Sequence, residues 1–122
     1  VAGFMARSDV FVLASEVEAG GTVLAEAQAL GLACVATPTW AGRFMVEPEC
    51  GVVLPAAAQA GGEVLVSALT RALTRVTAAV RDGDYRPEAI RARARERFGE
   101  KIFVSASLEF YEQALRARTL NE

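Results

Sequence analysis

The stretch Val10-Phe11-Val12-Leu13-Ala14-Ser15-Glu16-Val17-Glu18-Ala19-Gly20-Gly21-Thr22-Val23-Leu24-Ala25-Glu26-Ala27-Gln28-Ala29-Leu30-Gly31 decides how this chain folds. It opens on four apolar residues, Val10–Leu13, the pattern of a strand buried on both faces of a parallel sheet. A glycine-containing loop, residues 14–21, follows. Residues 22–30 are then rich in Ala, Leu, Glu and Gln, which lose little conformational freedom in a helix. Gly31 stands where a helix is ended by a residue in the left-handed conformation.

Downstream, Ala33-Cys34-Val35-Ala36-Thr37 is a second buried-strand run, stopped by Pro38, and Val52-Val53-Leu54 is a third, stopped by Pro55. Strand, helix, strand, loop, strand predicts an α/β fold with an open parallel sheet of Rossmann type. Residues 56–62 read as a loop. The remainder is helical. Over residues 63–81, Leu65, Leu69, Ala72, Val76 and Val80 share one face, with Ser67, Thr70, Arg71, Thr74 and Arg75 opposite. Asp82-Gly83-Asp84 breaks that helix, and Pro87 with Glu88 opens the next. A last helix around Phe103, Ala106, Phe110, Tyr111 and Ala114 carries most of the aromatic surface, which reads as packing, within the chain or against a domain outside this sequence. Residues 1–62 are thus expected to form a partial Rossmann segment and residues 63–122 the C-terminal helices of the same domain.

Composition removes whole classes of chemistry. The chain has 122 residues, 13 Lys+Arg against 15 Asp+Glu, a net charge of −2, two Cys and no His. An acidic balance argues against a nucleic-acid binder. Without imidazole, Ser-His-Asp and Cys-His catalysis and His-containing zinc sites are excluded within this chain. Cys34 and Cys50 form no disulfide framework, so a cytoplasmic location is the expectation. Cys34 falls in a strand and reads as a small core residue, whereas Cys50 reads as a loop residue open to solvent. No run approaches the ~18 consecutive apolar residues of a membrane span, and no signal-peptide pattern is present. Charge is uneven: residues 1–61 carry two Arg and six acids, residues 62–122 eleven basic and nine acidic groups.

The loop before the first long helix is where chemistry is expected. Ligands of open α/β sheets bind at the carboxyl ends of the strands. A helix N-terminus there presents unpaired N–H groups and a partial positive charge to phosphate, and glycine lets the backbone come close. Two carboxylates flank this position, Glu18 on the loop and Glu26 one turn inside the helix, separated by roughly 10 Å. A diphosphate between them would present a sugar to one acid and a ribose to the other, since a carboxylate accepts hydrogen bonds from neighbouring hydroxyls. The competing reading is an acid near a helix start and an ordinary glycine turn.

The segment Glu18-Ala19-Gly20-Gly21-Thr22-Val23-Leu24-Ala25-Glu26-Ala27, with its E-x7-E spacing, resembles the donor-binding half of the retaining GT-B glycosyltransferases. Within them it is most similar to the lipopolysaccharide-core heptose glucosyltransferases. Their E-A-x-G-x-V-L-L-E-A resembles the same segment, their glycine loop resembles Ala41-Gly42, and their cysteine-glycine-strand element resembles Glu49-Cys50-Gly51-Val52-Val53-Leu54. The likeness is close over residues 9–54 and loose beyond. It implies transfer of a hexose, glucose from UDP-glucose, to a lipopolysaccharide-core or other glycan or lipid-linked acceptor, with retention, with no metal and with no cofactor. It implies that Glu18 meets the donor sugar as the catalytic-site acid and that Glu26 binds the ribose hydroxyls. It further implies that the backbone of Gly20, Gly21, Thr22 and Val23 holds the diphosphate. The family often has Gly-Phe-Gly after the first Glu, where this chain has Ala19-Gly20-Gly21, and often a proline where Ala14 stands.

The resemblance also implies an N-terminal acceptor domain and further strands that are not in this sequence, so the chain reads as a C-terminal fragment, inactive alone, of a cytoplasmic enzyme, with peripheral contact at the inner face of the membrane left as an option. A nucleotide-sugar epimerase of the same fold and a non-catalytic binding module are the alternative readings. Trp40 and Arg43 read as loop residues on the ligand side of the sheet, with loop packing favoured over ligand contact. Arg86, Arg91, Arg93, Arg95, Arg97 and Lys101 read as a solvated helix face balanced by Glu88, Glu96 and Glu100 rather than as a site for anionic lipid.

Overall fold

The computed structural model describes residues 2–119. Its elements are α1 (Ala2–Met5), β1 (Val10–Leu13), α2 (Thr22–Ala29), β2 (Ala33–Ala36), α3 (Trp40–Met45), β3 (Gly51–Val53), a 3-10 turn (Ala56–Ala60), α4 (Gly62–Asp82), α5 (Pro87–Phe98) and α6 (Glu100–Thr119). The strands form a parallel sheet in the order β1-β2-β3, with Val10 opposite Ala33 and Cys34 opposite Gly51. This is the expected α/β architecture, a partial Rossmann-like sheet followed by C-terminal helices.

The central strand β2 is buried at all four positions. Successive side chains of a strand point to opposite faces, so β2 feeds two cores at once. Cys34 and Ala36 join Leu24, Ala27, Ala41 and Met45 under α2 and α3. Ala33 and Val35 join Leu54, Ala68, Ala72, Val76 and Ile90 under α4 and α5. Leu24, Val35 and Val76 are fully buried, each contributing about 1.5–3 kcal/mol of apolar transfer. Strand β1 departs from the expectation of burial on both faces. It is an edge strand, α4 packs on β2 and β3, and Val12 stays 38 % exposed.

Helix ends follow local chemistry. Gly31 adopts φ 87°, and its amide bonds the Gln28 carbonyl while the Leu32 amide bonds that of Ala27, which closes the last turn of α2. A Cβ at Gly31 would lie 2.9 Å from Pro87, so the same glycine lets α5 approach α2. Pro87 occupies the first turn of α5, and Gly83 caps α4 at φ 84°.

Four further expectations need correction. Residues 40–45 form a short helix rather than a loop, because the Thr39 hydroxyl accepts from the Gly42 amide at 3.1 Å and caps it. Residues 56–60 form a 3-10 turn that packs Ala58 into the second core. Cys50 is buried, not solvent-exposed, since its carbonyl accepts from the Cys34 amide at 2.9 Å and draws it into the sheet. The aromatic side chains of α6 join neither core among the described residues: Phe103, Phe110 and Tyr111 are at least 64 % exposed, with Phe110 and Tyr111 meeting edge to face at 5.9 Å, as α6 packs chiefly against α5. The side chain of Ala114 lies outside the described residues, as does Val1.

Candidate functional site

The carboxyl ends of the three strands converge on one side of the sheet. There Thr37, just past β2, donates its hydroxyl to the carbonyl of Ser15 at 2.6 Å and fixes the start of the β1–α2 loop. A cavity of about 250 Å³ opens between Ser15, Glu16, Thr37, Gln59 and Leu65. A second, of about 570 Å³, lies between Pro38, Trp40, Arg43, Phe44 and Gln59. Gln59 borders both, and its Nε2 donates to the Pro38 carbonyl at 3.1 Å.

At the end of the loop, Gly21 is the residue before α2 and adopts φ 61°. A Cβ there would sit 2.7 Å from that of Ala41, so glycine is required both by its backbone and by the close approach of α3. Gly20, by contrast, has open space around it. The Glu18 carboxylate turns back along the loop and accepts from the amides of Gly20 at 3.3 Å and Gly21 at 3.2 Å. The amides of Thr22 and Val23, in the first turn of α2, have no acceptor among the described residues, as expected of the first positions of a helix. Thr22 is exposed and Val23 half-buried against the first core.

The structure therefore brings Glu18, Gly20, Gly21, Thr22 and Val23 together around one set of backbone donors. Glu26 is placed apart. It is exposed on α2 and opens onto a groove of about 440 Å³ shared with Arg91, Arg95 and Phe98 of α5 and the residues leading into α6. The helix dipole and the two unoccupied amides supply local positive potential in an otherwise acidic half of the chain.

A family-model comparison matches residues 1–74 to the family described as Glycosyl transferases group 1. The chain belongs to the group 1 glycosyl transferases. Searches of curated proteins and of solved structures give no match. In this glycosyltransferase chain the matched span covers β1, α2, β2, α3, β3 and the first part of α4, and so includes every residue of the loop just described.

Some residues around the site were not singled out as site residues from sequence. Phe44 stacks on Trp40, Gln59 bridges the two cavities, and Glu47 pairs with α5. Trp40 and Phe44 are four apart, a helical spacing that becomes informative once Thr39 is read as a cap. The arginine face is only partly solvated. Arg93 forms a two-point pair with Glu47, Nε–Oε2 2.6 Å and Nη2–Oε1 3.0 Å, and also reaches Glu96. That hydrogen bonding, joined by the Arg97 charge, holds the Glu47 carboxyl below its ordinary range against a smaller effect of burial, and raises the Arg93 guanidinium in turn. Arg97 donates to the carbonyls of Phe44 and Met45, and Arg91 to that of Leu30.

The sequence Asp82-Gly83-Asp84 is an Asp-x-Asp, and it ends α4 beside Tyr85, whose hydroxyl donates to the Gly51 carbonyl at the amino end of β3. That is the opposite end of the sheet from the loop. No group of three or more His, Cys, Asp or Glu arranged for a metal occurs among the described residues. Among the described residues no helix is long and apolar enough to cross a membrane.

Proposed function

We propose that this chain is the donor-binding part of a retaining GT-B hexosyltransferase that takes glucose from UDP-glucose and passes it to a lipopolysaccharide-core or related glycan. The observation that carries the reading is the loop at the α2 N-terminus. Its amides already bind a carboxylate oxygen of Glu18, and a carboxylate oxygen stands in well for a diphosphate oxygen, with the same charge and hydrogen-bond demand. With the donor bound, the Gly20–Val23 backbone holds the diphosphate and the displaced Glu18 turns to the sugar. A carboxylate beside the reacting carbon offsets positive charge developing there in an oxocarbenium-like transition state. Glu26 binds the ribose hydroxyls from the α2–α5 groove.

The reading implies a donor nucleotide sugar and a glycan acceptor as partners. The test is calorimetric titration of UDP and UDP-glucose into the chain and into Glu26→Ala. Binding that falls at least tenfold in the variant supports the ribose role. Equal affinity of the two proteins for UDP removes Glu26 from the site, and a folded chain that binds neither ligand overturns the donor-binding reading.

A further inference from the structure

Trp40 opens α3 and Phe44 stands one turn later. Their rings stack with centroids 5.1 Å apart and planes within 8°. Both are exposed, Trp40 at 63 % and Phe44 at 56 %. The stack is held from below. Arg97 donates to the Phe44 carbonyl at 2.6 Å, places its guanidinium 5.8 Å from the centre of the Phe44 ring, and is itself 3.4 Å from Glu47. An exposed indole fixed in one orientation is a pre-organised surface, which lowers the entropy lost when a ligand is seated on it.

The cavity beside it supplies the other half of a recognition site. The Arg43 guanidinium, which makes no ion pair among the described residues, lines it. So does Gln59, whose amide nitrogen is engaged with Pro38 and whose carbonyl oxygen is left to accept. A flat apolar face bordered by a cationic donor and a neutral acceptor matches a pyranose ring, which presents C–H groups on one face and hydroxyls around its rim. We infer that Trp40 is a stacking platform for a hexopyranose, in a saccharide subsite completed by Arg43 and Gln59. Position supports a sugar over a nucleobase. Ala41, the next residue, packs on Gly21 at the α2 N-terminus, while Glu26 opens toward α5 on another side of α2. A nucleotide sugar laid across the loop with its ribose at Glu26 runs its sugar end toward α3. That part of the argument rests on the donor-binding reading, and the stacking itself does not.

Trp40 is the single tryptophan of the chain, so its emission reports this site alone. The full chain is titrated with UDP, with UDP-glucose and with maltose, following fluorescence and calorimetry in parallel. A change in Trp40 emission with UDP-glucose but not with UDP assigns the platform to the donor hexose. A change with maltose in the absence of nucleotide assigns it to the acceptor. In either case Trp40→Ala lowers affinity for the responding sugar about tenfold and leaves UDP affinity unchanged, while Trp40→Phe, folded by circular dichroism, restores most of it. UDP altering the emission as much as UDP-glucose overturns the inference in favour of base stacking. UDP binding by calorimetry with no sugar-dependent emission change overturns the platform and spares the donor reading. A maltose response without any UDP binding does the reverse, and silence toward all three ligands from the folded chain sinks both.

Discussion

The Glu18 carboxylate sits 3.2 Å from the Gly21 amide, so the acid proposed to face the sugar occupies the donors proposed to hold the diphosphate. The two roles exclude each other in one geometry. Under the proposed roles, donor binding displaces Glu18 from these amides and changes the shape of the loop before α2.

Removing that competitor separates binding from chemistry. Glu18→Ala is expected to bind UDP as tightly as the parent or a few-fold more tightly, because the amides of Gly20 and Gly21 are released. Sugar transfer, measured in an enzyme carrying this chain, is expected to fall about 100-fold or more, the usual scale for losing a charge-stabilising group. Weaker UDP binding by Glu18→Ala would show that the carboxylate organises the loop instead of competing for it.

The two loop glycines are expected to differ sharply. Gly21→Ala forces a Cβ into a left-handed backbone and to within 2.7 Å of Ala41. Its cost should be about 1–3 kcal/mol. Gly20→Ala meets open space and should change stability by less than about 0.5 kcal/mol. Urea denaturation of the two variants tests the contrast, and equal effects would mean that α3 yields to accommodate the methyl group.

Glu47 should govern part of the acid limb of stability. Arg93 and Arg97 hold its folded carboxyl below the ordinary value of 4.5, so the folded state binds fewer protons than the unfolded state as pH falls through this range. The stabilisation is complete above about 4.5 and is lost as pH drops through the lowered folded value. Glu47→Gln is expected to melt a few degrees lower at neutral pH, with the difference closing in acid. A difference in melting temperature that stays constant down to pH 3 would contradict it.

Both thiols should resist modification in the folded chain. Burial, with the neighbouring Cys50 adding to it, pushes Cys34 up to about 12, and burial raises Cys50 as well. Thiolate is the reactive form. Iodoacetamide at pH 8 is expected to label neither cysteine in the folded chain and both in denaturant. Rapid labelling of Cys50 under native conditions would return it to the exposed loop position that its sequence context suggests.

Local patterning carried much of the fold. Val10–Leu13 and the run from Ala33 are apolar without alternation, Gly31 and Gly83 end helices, and Pro87 starts one, each through the backbone preferences of a few adjacent residues. The loop Glu18-Ala19-Gly20-Gly21 and the helix after it were legible for the same reason, since a glycine turn and a helix start are set within a handful of positions. The elements misread were those whose signal was short or depended on a neighbour. Thr39 caps only six residues, and residues 56–60 turn because Ala58 finds the second core.

What the sequence determined by itself was therefore the order of the three strands and the longer helices and the place of the glycine loop between β1 and α2, because periodicity, caps and turns act over about one turn of chain. Tertiary structure alone decided which residues share a cavity. It buried Cys50 by pairing it with Cys34, left Val12 exposed at a sheet edge, joined Glu47 to Arg93 across 46 positions, and set Arg97 of α5 beneath Phe44 of α3. Those outcomes depend on how separate elements pack, and no spacing along the chain encodes a contact made only when two cores close on the same strand.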